Sequence, residues 1–399
     1  MLKLGLLDVN TTSVNKAYLG SDIVFNGVFV SLWRTTTPNE TITLPTPTNY
    51  TVNWGDGTVT TDANSHVYAI DGDYEIKISG NITDFAFFNT GDKDKILEVS
   101  NFGGASFGVS SFYGCSNLDV IDLKGINTNS GSIGSLFRNC TSLVYNSSIN
   151  LINVENSTGI NSMFRGCTLF NQPLTFDASN ATLAQDFLRD ATTFNSLVDI
   201  NLSSATLMNG FFANCINYNQ DINLNTPNVT NFSLFLFGCS SFNSELNIET
   251  SSVNNLSGFL FNASLFNKSL ILSTSNCTSM ATMFRGASSF NQDISNFNTS
   301  NVISMSQMFL GATAFNQNIS SWSFVSVTDM SNFMLLKTEN DYDANYLSDL
   351  LIKLDQDLVF ANMVNVNLGF GTIKYDATGV TAYNSLINKG FIIQSGGQL

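Results

Sequence analysis

One histidine, His66, stands in a chain of 399 residues that also holds only five prolines and three tryptophans. A single imidazole argues against a Ser-His-Asp triad and against a metal site built on histidines. Charge is scarce: 12% of residues are Asp, Glu, Lys or Arg, about half the ~25% usual in soluble domains. Positive charge is the scarcer sign, 16 Lys and Arg against 31 Asp and Glu, for a formal net charge of −15. Nucleic-acid binding and a polybasic membrane contact both need clustered Lys and Arg, so neither is expected. No run of 18 apolar residues is present, so no membrane-inserting helix is expected. The N-terminal apolar run is broken by Asp8 and does not read as a signal peptide. No CxxC pair occurs among six cysteines, so a zinc site is not expected; no other metal site and no cofactor is expected either.

What is abundant is apolar area, 43% of residues with 33 phenylalanines among them, enough for a sizeable core. The phenylalanines recur with a beat. Phe-Asn pairs begin at Phe170, Phe194, Phe242, Phe266, Phe290 and Phe315, and Tyr218-Asn219 fills the gap, a spacing of 24 or 25 residues throughout. A five-residue motif precedes each pair, as in MFRGC at 163–167 and MFRGA at 283–287, with looser copies SFYGC at 111–115 and LFRNC at 136–140. About nine coils fall between 107 and 335, and a period of this length with no helical pattern predicts a β-rich solenoid.

Each motif column has a physical meaning. The fourth position is Gly, Asn or Asp in every coil, from Gly114 to Gly311, the residues that tolerate a left-handed backbone, so a turn with φ > 0 is expected there. The fifth is always Cys or Ala, a small buried position, and so the cysteines are expected as free thiols. The Phe column should form an apolar ladder. Asn171, Asn195, Asn219, Asn243, Asn267, Asn291 and Asn316 form a second column, expected to hydrogen-bond coil to coil as a structural spine. The third motif position reads Tyr113, Arg138, Arg165, Arg189, Ala213, Phe237, Phe261, Arg285 and Leu310. Alternation points it outward, where Tyr113, the four arginines, Phe237 and Phe261 are candidates for contact with an anionic polymer, a sugar or a protein, a second copy of the chain included.

Residues 29–100 alternate apolar and polar residues in short runs broken by Pro, Gly and Asn, as strands do. Thr41–Leu44, Tyr50–Trp54 and Tyr74–Ile78 are predicted strands, and Gly55-Asp56-Gly57 a tight turn of the primed type. Asp56, Asp62, Asp71 and Asp73 could supply calcium ligands, although solvated turn residues are the plainer reading. Residues 1–28 suggest a hairpin. Near the C-terminus, 341–354 and 380–389 carry helical spacing, and Phe391-Ile392-Ile393 reads as a closing strand, together a cap for the open end of the coils.

WGDG at 54–57, HVY at 66–68 and DGDYEIKISG at 71–80 resemble a PKD-type, Ig-like β-sandwich. SLWRTTTPNETITLP, FYGCSNLDVIDL and coils such as FRGASSFNQDISNFNTSNVISMSQMF resemble the repeat of BspA-like bacterial surface proteins, and KYDATGVTAYNSLINKGFIIQSGG is similar to that family's cap segments. The segment VNKAYLGSDIVFNG resembles leaders of phage structural proteins. These resemblances imply a mainly β chain: an attachment hairpin at 1–28, a sandwich at 29–100, a leucine-rich-repeat-like solenoid at 101–335 and a small α/β cap at 336–399. They imply a non-enzymatic display protein of a virion surface, held to other virion proteins by its leader and adhering to a host glycan or protein. A bacterial cell-surface adhesin is the alternative. A glycan depolymerase comes third, because carboxylates are sparse in the coils; Asp221, Glu245 and Asp293 share a column that Ser269 interrupts.

Overall fold

The computed structural model describes residues 16–19, 22–46, 50–80, 82, 84–103, 105–121, 131–144, 154–358 and 367–399. Most of the proposed leader segment, and parts of the first two coils, lie outside them. The chain is mainly β, and it divides into two compact units, Met1–Ala178 and Ser179–Leu399.

The first unit opens with a hairpin in which β1 (Lys16–Leu19) pairs antiparallel with β2 (Asp22–Asn26). β3 (Val28–Thr35), β4 (Glu40–Thr43), β5 (Tyr50–Asn53), β6 (Val59–Thr61), β7 (Ser65–Tyr68), β8 (Gly72–Gly80), β9 (Ile96–Asn101) and β10 (Val120–Ile121) follow. Six of them form one sheet in the order β10-β9-β3-β8-β5-β6, and β4 pairs with β7. The alternation anticipated in sequence is met on β3, where Phe29, Ser31, Trp33 and Thr35 point inward. Buried Ser31 is tolerated there because its hydroxyl accepts the Trp33 indole N–H at 2.8 Å. Trp33 packs on Phe87 and Phe29 on Phe85, so aromatic area dominates this core.

The turn at 55–57 differs from the expected primed pair. Trp54 N–H donates to the Thr58 carbonyl at 3.0 Å, and positive φ falls on Gly55 and Gly57 while Asp56 stays outside that region. Two local contacts select the longer loop. The Asp56 carboxylate accepts from Thr58 N–H at 2.9 Å, and a Cβ on Gly55 would stand 2.8 Å from the Glu75 carbonyl oxygen.

The repeats stack in parallel. Within the first unit, Ser110, Phe112 and Gly114 donate their amides to the carbonyls of Gly134, Leu136 and Arg138 in the next coil. Within the second, the same three rungs recur: Thr282, Phe284 and Gly286 donate to Ser306, Met308 and Leu310. Bridges link Leu207, Asn231, Asn255, Ser279, Ser304 and Asp329 in a parallel row. Extended segments are short, β11 (Leu174–Asp177), β12 (Val198–Asn201), β13 (Ile222–Leu224) and β14 (Leu246–Ile248), the last two pairing in parallel. Most of each coil is a chain of turns, such as Met283 N–H to Met280 C=O and Ala287 N–H to Phe284 C=O.

The expected left-handed column is present in every coil, with φ from +59° at Asn139 and Asn262 to +85° at Gly114. A second left-handed column lies four residues before it, at Ser110, Ser135, Ser162, Asp186, Gly210, Leu234, Gly258, Thr282 and Gln307. Positive φ at the third residue of a turn is the type II geometry, which explains both columns at once. The buried Phe ladder also holds: Phe242, Phe266 and Phe290 stack face to face at 5.6 and 6.0 Å.

The end of the stack is closed by α1 (Ala344–Asp357), β15 (Asn367–Gly369), α2 (Val380–Asn388) and β16 (Ile392–Gln394), close to the sequence expectation. Asn332 and Met334 donate their amides to Asn367 and Gly369, so β15 continues the coil rungs. Asp343 caps α1 by accepting from Asn345 N–H. Beneath this cap Lys337 is almost fully buried, its ammonium on the Ala312 and Thr313 carbonyls at 2.7 and 3.0 Å. Desolvation brings its pKa down to about 8, against the opposing field of Asp341.

Candidate functional site

The third motif column does not stand out in solvent as alternation suggested. Tyr113, Arg138, Arg165, Arg189, Phe237, Phe261 and Arg285 are all half-buried, and Ala213 is buried. The reason is the second left-handed column. Two turns in succession fold the side chain back along the coil surface, against its neighbours above and below. The arginines also do not form a repelling row. In the first unit the Arg138 guanidinium lies 4.8 Å over the Tyr113 ring, one coil earlier. In the second unit Arg189 pairs with Asp186 at 3.2 Å and Asp190 at 3.8 Å. Arg285 lies 4.9 Å over the Phe261 ring, again one coil earlier, and donates from Nη1 to Gln307 Oε1. Phe237 meets Phe261 at 5.0 Å with the rings nearly perpendicular. The structure thus brings Phe237, Phe261 and Arg285 into one strip and gives Arg189 a separate, neutralised environment.

The asparagine column is a ladder. Asn195, Asn219, Asn243, Asn267 and Asn291 each accept, on Oδ1, the backbone N–H of the next column member, at 2.8–2.9 Å, ending with Asn316. Asn316 in turn accepts from Asp343 N–H at 2.8 Å, which ties the ladder to the cap of α1. Asn171, at the same position in the first unit, is exposed. With the carboxamide oxygens committed to backbone amides, the column works as a spine.

All six cysteines are free and buried. Cys140 and Cys239 donate Sγ–H to the carbonyls of Phe112 and Phe212 in the preceding coil. Desolvation pushes their thiols far up, away from the thiolate form that reacts. The shared carboxylate column serves the backbone: Asp221 accepts from Glu245 N–H of the next coil at 3.0 Å, and Asp293 from Ser295 N–H in its own turn at 2.8 Å.

In the sheet, His66 Nε2 and Asp56 Oδ2 are 2.7 Å apart, with the imidazole stacked on Trp54 and edge-on to Tyr68. Desolvation would raise the Asp56 carboxyl, but the bonds from His66 and Thr58 outweigh it and hold the group below its usual value. Asp73 is engaged elsewhere, by a two-pronged bond from Arg34 at 2.6 and 2.8 Å. Among the described residues, no three His, Cys, Asp or Glu gather to hold a metal.

Sequence reasoning missed a cleft of about 530 Å³ in the first unit, lined by Arg34, Glu40, Asp73, Lys95, Glu98 and Asp119 among others. Its signal was present in part: Arg34 and Asp73 face each other across β3 and β8. Lys95 stands 3.0 Å from both Glu40 and Asp92 and donates to the Thr41 carbonyl. Glu40 accepts from Thr36 N–H and from Lys95, which brings its pKa down to about 2. With its cations paired to carboxylates, the cleft holds a salt-bridge network in place of a poised acid or nucleophile.

These features define a β-rich protein of stacked 24–25-residue coils with an N-terminal sheet and a helical cap. The family described as "Mycoplasma protein of unknown function, DUF285" matches in three overlapping stretches, 109–200, 196–271 and 246–346. They cover more than half of the chain, which belongs to this family. No curated protein and no solved structure matches it.

Proposed function

We propose that the chain is a non-enzymatic binding protein displayed on a bacterial cell surface, in which a PKD-like sheet domain accompanies a leucine-rich-repeat-like solenoid. Membership of a repeat family built on these coils supports the bacterial-surface reading. The observation that carries the binding role is the third motif column. Its guanidinium-on-ring pairs, Arg138 on Tyr113 and Arg285 on Phe261, give partly open recognition groups on a repeating frame. Carboxylates in the coils accept backbone amides, Asp221 from the next coil and Asp293 within its own turn, which favours binding over glycan hydrolysis.

A second reading, a virion surface protein that attaches to host cells, rests on the β1–β2 hairpin and its likeness to phage leaders. Mass spectrometry on washed cells, protease-shaved cells and purified particles separates the two. Release of coil peptides from intact cells by the protease supports the cell-surface reading, and co-purification with particles replaces it. Release of reducing sugar from host surface glycan by the purified chain would overturn the non-enzymatic part.

A further inference from the structure

The charge pairing along the chain is uneven in an informative way. Most Lys and Arg side chains are tied to carboxylates, as Arg34 is to Asp73 and Lys268 to Glu245. Arg189, in the third motif column, is neutralised by two aspartates. Among the described residues Arg138 and Arg285 have no carboxylate partner, in a chain of net charge −15. Both occupy that column, and both lie on the aromatic ring that fills it one coil earlier. An aromatic face anchors a guanidinium while leaving its in-plane N–H donors free. Gln307 adds a neutral acceptor, which fixes Arg285 without cancelling its charge.

The second unit adds apolar area to that cation. Phe237 and Phe261 meet nearly perpendicular on consecutive coils, half-buried, with Arg285 of the next coil over the Phe261 ring. Gly258, in the adjoining column, has no side chain, and the Leu234 and Thr282 side chains flank the place where its Cβ would stand. The result is a strip three coils long, ring, ring, cation, with Leu234, Gly258 and Thr282 in the column three residues before it.

We propose that Phe237, Phe261 and Arg285 bind an acidic saccharide, its apolar C–H groups packed on the open part of the perpendicular phenylalanine pair and its carboxylate held by the Arg285 N–H groups that Gln307 leaves free. This rests on the surface-binding reading above and names the ligand class for that column. A sugar has an apolar C–H face for an aromatic ring, and a ring carboxylate matches the bidentate donors of Arg.

The test uses the full chain and titrates oligogalacturonate by calorimetry, with dextran oligomers and poly-glutamate as comparators. Oligogalacturonate binding that weakens with salt, falls at least tenfold in both Arg285→Gln and Phe261→Ala, and persists in Arg189→Gln supports the assignment. Arg285→Lys should recover only part of the affinity, because it keeps the charge and loses the fork. Melting curves of each variant establish that it is folded, and Arg285→Gln, a polar change at a half-buried site, serves if Phe261→Ala fails to fold. Equal binding of dextran overturns the role of the carboxylate, and equal binding of poly-glutamate overturns the sugar. Absence of oligogalacturonate binding, with wild type and Arg285→Gln adhering alike to cells, overturns the strip and leaves the surface-binding reading standing. Absence of both kinds of binding overturns the two together.

Discussion

Trp33 in the N-terminal sheet lies across from Tyr74 on one neighbouring strand and Ile96 on the other, residues far along the chain and unlike it. Phe266 in the coils stacks on Phe242 and Phe290, its own counterparts one repeat away on either side. Both side chains are fully buried, but the sheet solves its packing once, with unique partners, whereas the coils solve it once and copy it. A copied solution couples each unit only to its neighbours, and a unique one couples the whole layer.

The largest way to break this contrast is to empty both cores. Trp33→Ala and Phe266→Ala should each cost about 3–5 kcal/mol. Hydrogen exchange should then separate them: Trp33→Ala loses protection across β3, β8 and β9 together, and Phe266→Ala mainly in the coils holding Phe242 and Phe290. Uniform loss across residues 179–335 in Phe266→Ala would refute nearest-neighbour coupling.

A sharper probe is the alternation of Asn and Gly in the left-handed column that runs from Gly114 to Gly311. A Cβ on Gly286 would stand within hard contact of Asn262 Oδ1, and its φ is +67°. Gly286→Ala should therefore cost about 1–3 kcal/mol, from both the left-handed backbone and the clash. Adding Asn262→Gly should recover the clash and not the backbone part, read from urea midpoints. A double variant no more stable than the single one would remove the pairing rule.

One coil carries a flaw in its copy. Tyr218 fills a Phe position with its hydroxyl buried and without a hydrogen-bond partner. Tyr218→Phe should raise stability by about 1 kcal/mol, and a lower melting temperature would show that the hydroxyl is satisfied in solution.

The smallest effect concerns pH and the sheet. Glu40 has a folded pKa of about 2, below its ordinary 4.5, mainly through the Thr36 amide and Lys95. A carboxyl lowered on folding stabilises fully above its unfolded pKa and loses that contribution as pH falls from about 4.5 to about 2. Glu40→Gln should flatten the acid limb of the stability curve over that window, and an unchanged limb would assign the acid sensitivity elsewhere.

Much of the coil was legible because its chemistry is local. Gly, Asn and Asp mark left-handed backbone by their own steric tolerance, and that column appears in all nine coils. The asparagine spine was legible because a repeated amide finds its partner one period away. The second left-handed column was not, since Ser135, Leu234 and Gln307 have no such tolerance; the inter-coil rungs on either side impose it. Half-burial of the arginine column was hidden for the same reason. The cleft beside β3 was hidden because Arg34, Glu40, Lys95 and Asp119 meet only after β9 and β10 join the sheet.

Composition and period alone determined that this chain has an aromatic core, a 24–25-residue unit, a left-handed turn in each unit and a terminal cap. Those properties follow from what single residues and their neighbours tolerate. Tertiary structure alone decided which arginines are neutralised and which rest on rings, and that Phe237, Phe261 and Arg285 share one strip. The reason is that charge pairing and ring contact act between coils, over a few ångströms that linear order does not specify.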